Sequence, residues 1–366
     1  MRIGISCRLL VLWGIALFVL ASCSHDGNNP TVSRPPVPGV EADYHLVMDH
    51  YHRVSDELFS YTYQLAIQTT RGDTLIDSMP AAFIIYDIAF SPNGDLVCFS
   101  GSLMTNRTWI SHWPKLDTIA IREGIYGNVS FSEDGRYLLV GTRLFSVPDM
   151  TLIYDESPLH FNSFFIPGRD KFCFNIWDTD SIYFVDYGIT PPLRYSKPVK
   201  GVLGEVLAVS AFVASVSGDS LIMAAQHGEH GIEQRSILIV DSDSFEIIDQ
   251  VMTGGPYFQY TTPVIHPNGR FVYWYFRGCP MDICYSSGTV YVYDIAARSL
   301  SVLVDKSDVG DFFPEELAVT PGGEYLYIRD FMDRMFKVNT SNGQIAEISD
   351  DGGGMGTMAF YPLEIK

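Results

Sequence analysis

The chain has 366 residues, of which 47% are hydrophobic and 18% are charged, so composition excludes a largely disordered protein. Its 43 acidic residues against 24 Lys and Arg give a net charge of −19. A charge of this sign and size repels nucleic acid and anionic lipid surfaces, and we therefore expect no nucleic-acid partner.

The N-terminus is typical of an export signal. Two arginines accompany an apolar run from Leu9 to Val19, which is too short for a stable transmembrane helix. Residues 1–22 are therefore predicted to be a signal peptide. The segment Leu20-Ala21-Ser22-Cys23 resembles the bacterial lipobox, which implies that Cys23 becomes the lipid-modified first residue, with palmitate as an expected lipid. The alternative is an ordinary signal peptide with an incidental cysteine.

Residues 23–40 are predicted to be a lipid-anchored flexible tether. They are rich in Asn, Pro, Ser and Gly and have no apolar periodicity, as expected of a solvated, extended chain. A lipid on Cys23 would anchor the domain of residues 41–366 to a membrane of the bacterial cell envelope. Ser24 is not the aspartate that marks inner-membrane retention in enteric bacteria, and this resemblance favours the outer membrane.

A sequence pattern of strand, turn and strand recurs six times in residues 41–366. It first runs from Ile88 to Phe99, around the turn Ser91-Pro92-Asn93-Gly94. The turns lie about 34 to 54 residues apart, which is the period of a β-propeller blade. Many of the strands are apolar on both faces and so require neighbouring sheets in front and behind. Six blades of four strands are expected to start near residues 85, 127, 160, 207, 260 and 316.

The two ends of the domain are predicted to form one further blade. The segment from Gly356 to Pro362 repeats the opening strand and then stops. Second, third and fourth strands are expected near Asp43–Asp49, Phe59–Ile67 and Asp73–Met79. Pairing one C-terminal strand with these three hides the edges of an open array. The predicted fold class is therefore all-β: a seven-bladed β-propeller of four-stranded antiparallel blades.

The repeated pattern of residues 41–366 resembles that of the seven-bladed propellers of the YVTN and quinoprotein amine dehydrogenase β-chain-like group. The resemblance rests on the Pro-Asn-Gly type turns and on the segment from Thr289 to Ile295 that precedes Ser299-Leu300-Ser301-Val302. The diagnostic Tyr-Val-Thr-Asn tetrapeptide and the Trp-Asp ends of WD40 blades are absent. The fold group has many functions, so the resemblance implies shape and little chemistry.

The function expected from these features is a binding or scaffolding module for a protein or small ligand. No nucleophile elbow, phosphate-binding loop or zinc-protease motif occurs, and no catalytic residue is assigned. The alternative is a propeller-type enzyme, such as a metal-assisted lactonase or other hydrolase, because related propellers include such enzymes.

The cysteines and one histidine-containing loop are the candidates for a disulfide and for metal binding. Cys98 and Cys173 occupy equivalent repeat strands and are expected to be buried apolar side chains. Cys279 and Cys284 flank a short loop, and in an oxidising compartment this spacing predicts a disulfide, with a metal site as the alternative. No cofactor is predicted. A divalent metal stays open as an alternative, since the loop around His227 carries imidazole and carboxylate groups.

The predicted binding face is the end of the blades where long, irregular loops emerge. Loops between second and third strands and loops between consecutive blades share this face, and recognition commonly resides in long loops on a rigid scaffold. The aromatic members are the expected apolar anchors. The candidate residues are His227, Glu229, His230, Tyr257, Phe258, Arg277, Asp282, Asp311, Asp330 and Arg334.

The anchor assignment makes a direct prediction. Cys23→Ser should leave the domain folded but release it from membranes, because the lipid would have no attachment point. Cys7→Ser is the matched control, since Cys7 lies in the predicted signal peptide and its loss should leave the protein in the membrane fraction. Fractionation at equal expression measures both variants. Membrane retention of Cys23→Ser would contradict the assignment.

Overall fold

The computed structural model describes residues 45–55, 60–69, 74–81, 84–102, 106–113, 115–156, 162–176, 180–200, 208–227, 234–252, 258–260, 263–278, 285–309, 314–330, 334–349 and 358–361. The predicted signal peptide and tether lie outside these residues. Within the described ranges, no helix is long and apolar enough to cross a membrane.

The regular secondary structure of the described residues is β-strand, apart from one short helix, α1 (Lys306–Val309). Six groups of consecutive strands form sheets 1 to 6. Sheet 1 contains β4 (Ile84–Phe90), β5 (Leu96–Ser102), β6 (Asn106–His112) and β7 (Thr118–Glu123); sheet 2 contains β8 (Val129–Phe131), β9 (Tyr137–Val140), β10 (Arg143–Ser146) and β11 (Leu152–Asp155); sheet 3 contains β12 (Asn162–Phe165), β13 (Lys171–Asn175), β14 (Ser181–Asp186) and β15 (Leu193–Pro198). Sheet 4 contains β16 (Ala208–Ala214), β17 (Ser220–His227), β18 (Gln234–Asp241) and β19 (Ile247–Met252); sheet 5 contains β20 (Phe258–Tyr260), β21 (Val264–Ile265), β22 (Phe271–Gly278), β23 (Tyr285–Asp294) and β24 (Ser299–Asp305); sheet 6 contains β25 (Pro314–Val319), β26 (Tyr325–Asp330), β27 (Met335–Asn339) and β28 (Ile345–Ser349).

A further four-stranded sheet, the terminal sheet, combines both ends of the domain. Its strands are β1 (His45–Ser55), β2 (Ser60–Thr69), β3 (Thr74–Ala81) and β29 (Met358–Tyr361), in the order β29-β1-β2-β3. The antiparallel register of β1 and β29 runs from His45 opposite Tyr361 to Met48 opposite Met358.

The first strands of the sheets contact one another in succession. The strand β4 contacts β8, β8 contacts β12, β12 contacts β16, β16 contacts β20, and β21 contacts β25. The strand β29 contacts both β25 and β4. Because β20 and β21 both pair with β22, they act as two pieces of one first strand.

The hydrophobic core of the described residues is divided into seven clusters, each between two neighbouring sheets. Phe172 and Phe174 of sheet 3, for example, pack against Leu139 and Leu144 of sheet 2. Face-to-face packing of this kind explains why the strands carry apolar residues on both faces. Two of the clusters include β29, through Ala359 in one and Met358 in the other.

The described cysteines agree with the sequence prediction. Cys98 and Cys173 are free thiols with no exposed surface. Burial raises the pKa of both thiols above the ordinary range for cysteine, so neither is a reactive thiolate at neutral pH. Both act as small apolar side chains in the second strands of their sheets.

Five of the six turns between first and second strands share one conformation. In these five, a glycine with positive φ donates its N–H to the carbonyl three residues earlier, and the glycine supplies a left-handed conformation that other residues adopt at a cost. The glycines with this bond are Gly94, Gly135, Gly218, Gly269 and Gly323. The tight approach of one turn to the next adds a second requirement at Gly218, where a Cβ would lie 2.1 Å from the carbonyl oxygen of Pro167.

Gly218→Ala should therefore destabilise the protein far more than Gly168→Ala. Both glycines have positive φ, near +70°, but a Cβ on Gly168 would meet nothing within 4 Å. We expect Gly168→Ala to cost about 1 kcal/mol of unfolding free energy for the backbone conformation alone. Gly218→Ala should cost about 1–3 kcal/mol more because the adjoining turn must move. Denaturant unfolding of both variants measures the difference, and equal losses would contradict the close contact between turns.

Candidate functional site

Most of the predicted binding-face residues lie outside the part of the chain whose side chains the structure describes. Glu229, His230, Tyr257, Asp282 and Asp311 are outside the described residues. His227, Phe258 and Arg277 fall within β17, β20 and β22, but their side chains are not described. Cys279 and Cys284 are likewise outside, so the disulfide stays a prediction.

The structure describes the side chains of two candidates, Asp330 and Arg334. They bind each other at the two ends of the loop between β26 and β27. Arg334 donates from Nε to Asp330 Oδ2 over 3.0 Å, and a second bond runs from Nη2 to the same oxygen. The Asp330 N–H donates to the Arg334 carbonyl over 2.9 Å. Because the Asp330 side chain has no exposed surface, this pair closes the loop rather than presenting a free carboxylate.

Three first strands carry a β-bulge at the same position of the repeat. The extra residues are Tyr86 in β4, Ser210 in β16 and Glu315 in β25, each five residues before the start of its turn. A bulge re-aims side chains and is common beside functional sites. In sheet 1 it leaves the Tyr86 side chain 50% exposed, whereas Ile85 and Ile88 on either side are buried.

The loop between β7 and β8, residues 124–128, is held by hydrogen bonds along its length. The Gly124 N–H donates to the Asn106 carbonyl over 2.7 Å, and the Ile125 carbonyl accepts from the Thr108 hydroxyl over 3.0 Å. Further along, the Gly127 N–H donates to Ser100 Oγ over 3.0 Å, and the Asn128 carbonyl accepts from the Gly141 N–H over 2.8 Å. These bonds fix a loop of only five residues to both adjoining sheets.

Tyr126 lies at the centre of this loop and contacts Tyr86 of β4. The two ring centroids are 5.8 Å apart, and the ring planes are inclined at 45°. We call Tyr86 and Tyr126 the tyrosine pair. It bridges sheets 1 and 2 at the end of β4 and β8 that is opposite the Ser91–Asp95 and Ser132–Arg136 turns, which is the face the sequence predicts for binding.

Carboxylates on two first strands beside the pair bind backbone N–H groups of the next first strand. Asp87 Oδ2 accepts from the Val129 N–H over 2.7 Å. At the equivalent position of sheet 6, Glu316 Oε1 accepts from the Met358 N–H over 2.8 Å. Glu316 Oε2 also accepts from Arg329 Nε over 3.3 Å. Both carboxylates therefore connect neighbouring sheets.

Asp87 is the most perturbed carboxyl group of this region. Burial raises its pKa to about 7, and the negative charge of Glu316 acts in the same direction. The hydrogen bonds from the Val129 and Ile88 N–H groups oppose the shift but are outweighed by burial. Part of the Asp87 population is thus protonated at neutral pH.

A concave surface lies at the opposite end of sheets 1 and 2. This cleft has a volume of about 630 Å³ and is walled by the first turns of the two sheets. Two of its carboxylates already have partners: Asp134 binds Arg136 and Ser132, and Glu133 accepts from the Gly168 N–H over 2.9 Å. The described residues contain no group of three or more His, Cys, Asp or Glu side chains placed to hold a metal ion.

The tyrosine pair was missed by the sequence reasoning, which sought long loops. One signal was present. Tyr126 stands two residues after one glycine and directly before another, a pattern that permits a sharply turned loop to present a large side chain.

Comparison with solved structures identifies the fold. The periplasmic gluconolactonase of Pseudomonas aeruginosa is 13% identical, with a TM-score of 0.62 over 87% of this chain and 99% of that chain. The Cps50 (Swd1) β-propeller domain of Myceliophteria thermophila is 17% identical, with a TM-score of 0.56 over 72% and 85%. Dihydro-heme d1 dehydrogenase NirN is 16% identical, with a TM-score of 0.55 over 87% and 66%.

These similarities confirm the predicted all-β class and a β-propeller of four-stranded antiparallel blades. At identities of this level they establish the fold and not the activity. No protein-family model and no curated protein sequence matches the chain.

The raised pKa of Asp87 predicts a pH-dependent stability. The folded protein holds a proton on Asp87 that the unfolded chain loses above about pH 4, so the free energy of unfolding should fall as pH rises from about 4 to about 7. The slope from this group is at most about 1.4 kcal/mol per pH unit. Asp87→Asn should remove it, as measured by denaturant unfolding across this range.

Asp294→Asn is the matched control. Arg270 holds the pKa of Asp294 down at about 2, so the stability this carboxylate provides is lost only as pH falls below about 4. The variant should therefore keep the wild-type slope between pH 4 and 7. An Asp87→Asn protein with that same slope would contradict the assignment to Asp87.

Proposed function

We propose that this protein is a lipid-anchored, seven-bladed β-propeller of the bacterial cell envelope that binds a protein or small ligand at the face carrying the tyrosine pair. In this proposal the lipid on Cys23 and the tether of residues 23–40 hold the propeller at a membrane, and the outer membrane is favoured. The domain provides a rigid binding surface and does not catalyse a reaction.

The proposal of seven blades rests on the terminal sheet. With it, the first strands β4, β8, β12, β16, β20/β21, β25 and β29 follow one another by contact, and β29 touches both β25 and β4. The Met358 N–H bond to Glu316 and the packing of Phe360 on Tyr327 support a blade position for the terminal sheet beside sheet 6. A ring closed in this way leaves no sheet face of the array without a neighbour.

The observation that carries the binding function is a pair of tyrosines, one exposed and one half-buried, on a backbone that is already fixed. Tyr86 is held by a bulge in a strand, and Tyr126 by a loop with hydrogen bonds on both sides of it. Tyrosine supplies a large contact area with few rotatable bonds, and a pre-ordered site loses little conformational entropy when a ligand binds.

The carboxylates of the same face support binding over hydrolysis. A hydrolase needs carboxylates that are free to ligate a metal or move a proton. Asp87 accepts two backbone N–H groups, and Glu316 accepts a backbone N–H and the Arg329 guanidinium. These interactions assign both groups to holding neighbouring strands together.

A lactonase is the second candidate, favoured by one observation. The Pseudomonas aeruginosa gluconolactonase is covered over nearly its whole length by this chain. Under this alternative a metal would be held by residues of the first strands. Asp87 of β4 and Glu316 of β25 would then be the candidate ligands among the described carboxylates. Metal analysis and assay of glucono-δ-lactone hydrolysis by the purified Cys23→Ser protein test it.

The binding face is tested by site-specific photocrosslinking. The photoreactive residue p-benzoylphenylalanine is placed at position 126, beside Tyr86, or at position 93, an exposed asparagine of the opposite cleft. We expect adducts in native envelopes from position 126 and none above background from position 93. Adducts from position 93 alone would contradict the choice of face. Lactone turnover that is lost in both Asp87→Asn and Glu316→Gln would replace binding by catalysis.

A further inference from the structure

The tyrosine pair has a geometry that restricts its ligand. Parallel rings in contact would cover each other's faces, but an inclination of 45° with centroids 5.8 Å apart forms a wedge. A single small group on the side where the two ring planes diverge would lie near both centroids. Cation–π attraction acts within about 6 Å of a ring centroid, so one cation can interact with both rings.

The charged groups around the pair also favour a cationic ligand. Carboxylates near it are Asp87 in β4, Glu123 in β7, and Glu315 and Glu316 in β25. Arg107 pairs with Glu123 over 3.1 Å and Arg329 with Glu315 over 3.4 Å, while Arg122 of β7 donates to the Met150 carbonyl. Since Asp87 is partly protonated at neutral pH, these groups carry a small excess of negative charge, of the same sign as the net charge of −19 for the whole chain. Such a field concentrates cations and repels anionic groups.

The remaining surface of the pair suits an alkyl group. Tyr86 is half exposed, and Ile125 beside Tyr126 packs into the apolar cluster between sheets 1 and 2. An alkylammonium group combines a positive charge with methyl or methylene surface. Aromatic rings bind such groups well because, unlike inorganic cations, they lose little hydration on contact with a ring.

We propose that the tyrosine pair binds an organic cation, namely an alkylammonium group held against both ring faces and attracted by the surrounding carboxylates. This inference rests on the proposed binding function and names the ligand chemistry of that same site. The ring faces provide the contact, so the phenol hydroxyls are dispensable. Asp87 and Glu316 contribute charge and hold the strands, and neither needs to touch the ligand.

The test compares choline with 3,3-dimethylbutan-1-ol, its uncharged carbon isostere. The two molecules have the same shape, so the difference in affinity reports the charge. Titration calorimetry of the Cys23→Ser protein at low salt should show choline binding at least about tenfold more tightly than the alcohol. Equal affinities would overturn the proposal in favour of a purely apolar site, and so would the absence of choline binding.

Variants of the pair locate the site. Tyr86→Phe should keep choline binding, while Tyr86→Leu and Tyr126→Leu, which retain apolar bulk without a π face, should each weaken it about tenfold. Ile189→Ala is the control, since Ile189 is 46% exposed on the β14–β15 turn, away from the pair. Thermal unfolding verifies that each variant is folded. Wild-type affinity in both leucine variants would place choline elsewhere and overturn the proposal.

The crosslinking experiment distinguishes a wrong binding face from a wrong ligand. If position 126 captures a ligand that choline does not displace, the binding face stands and the organic cation is wrong. If position 126 captures nothing and choline does not bind, both proposals fail.

Discussion

The packing of one apolar sheet face on another is the interaction on which the rest of this structure depends. Each of sheets 1 to 6 places apolar side chains on both faces, as Cys98 and Phe99 do on adjacent positions of β5. A sheet of this kind is stable only between two others. The core is therefore a series of layers between sheets, and the first strands of these sheets meet at one end of every layer.

Polar contacts to the first strands complement this packing. Asp87 of β4 binds the Val129 N–H, Glu316 of β25 binds the Met358 N–H, and Asn175 of the second strand β13 donates to the Val209 carbonyl over 2.9 Å. A first strand pairs with only one strand of its own sheet, so backbone groups on its other side need partners. Side chains of the preceding sheet supply them. Asp87 meets this need at β8, although burial raises its pKa to about 7.

The candidate site arises where these two constraints meet. A bulge in β4 releases Tyr86 from the alternation that buries its neighbours, and the short loop 124–128 presents Tyr126 because its backbone is bonded to sheets 1 and 2. Neither tyrosine is on a long loop. Rigidity and aromatic exposure, rather than loop length, identify this surface.

Local sequence patterns predicted the strands, their grouping into blades and the turn glycines. Alternating or doubly apolar runs and Pro-Asn-Gly turns are local signals, and each is read from a few adjacent residues. The sequence also identified Cys98 and Cys173 as buried and placed Asp330 and Arg334 at one loop, although not their pairing. The tertiary structure alone decided which side chains meet. Tyr86 and Tyr126 are forty residues apart, and their contact depends on a bulge and on the relative position of two sheets. No local pattern encodes that distance, because it is set by packing between sheets.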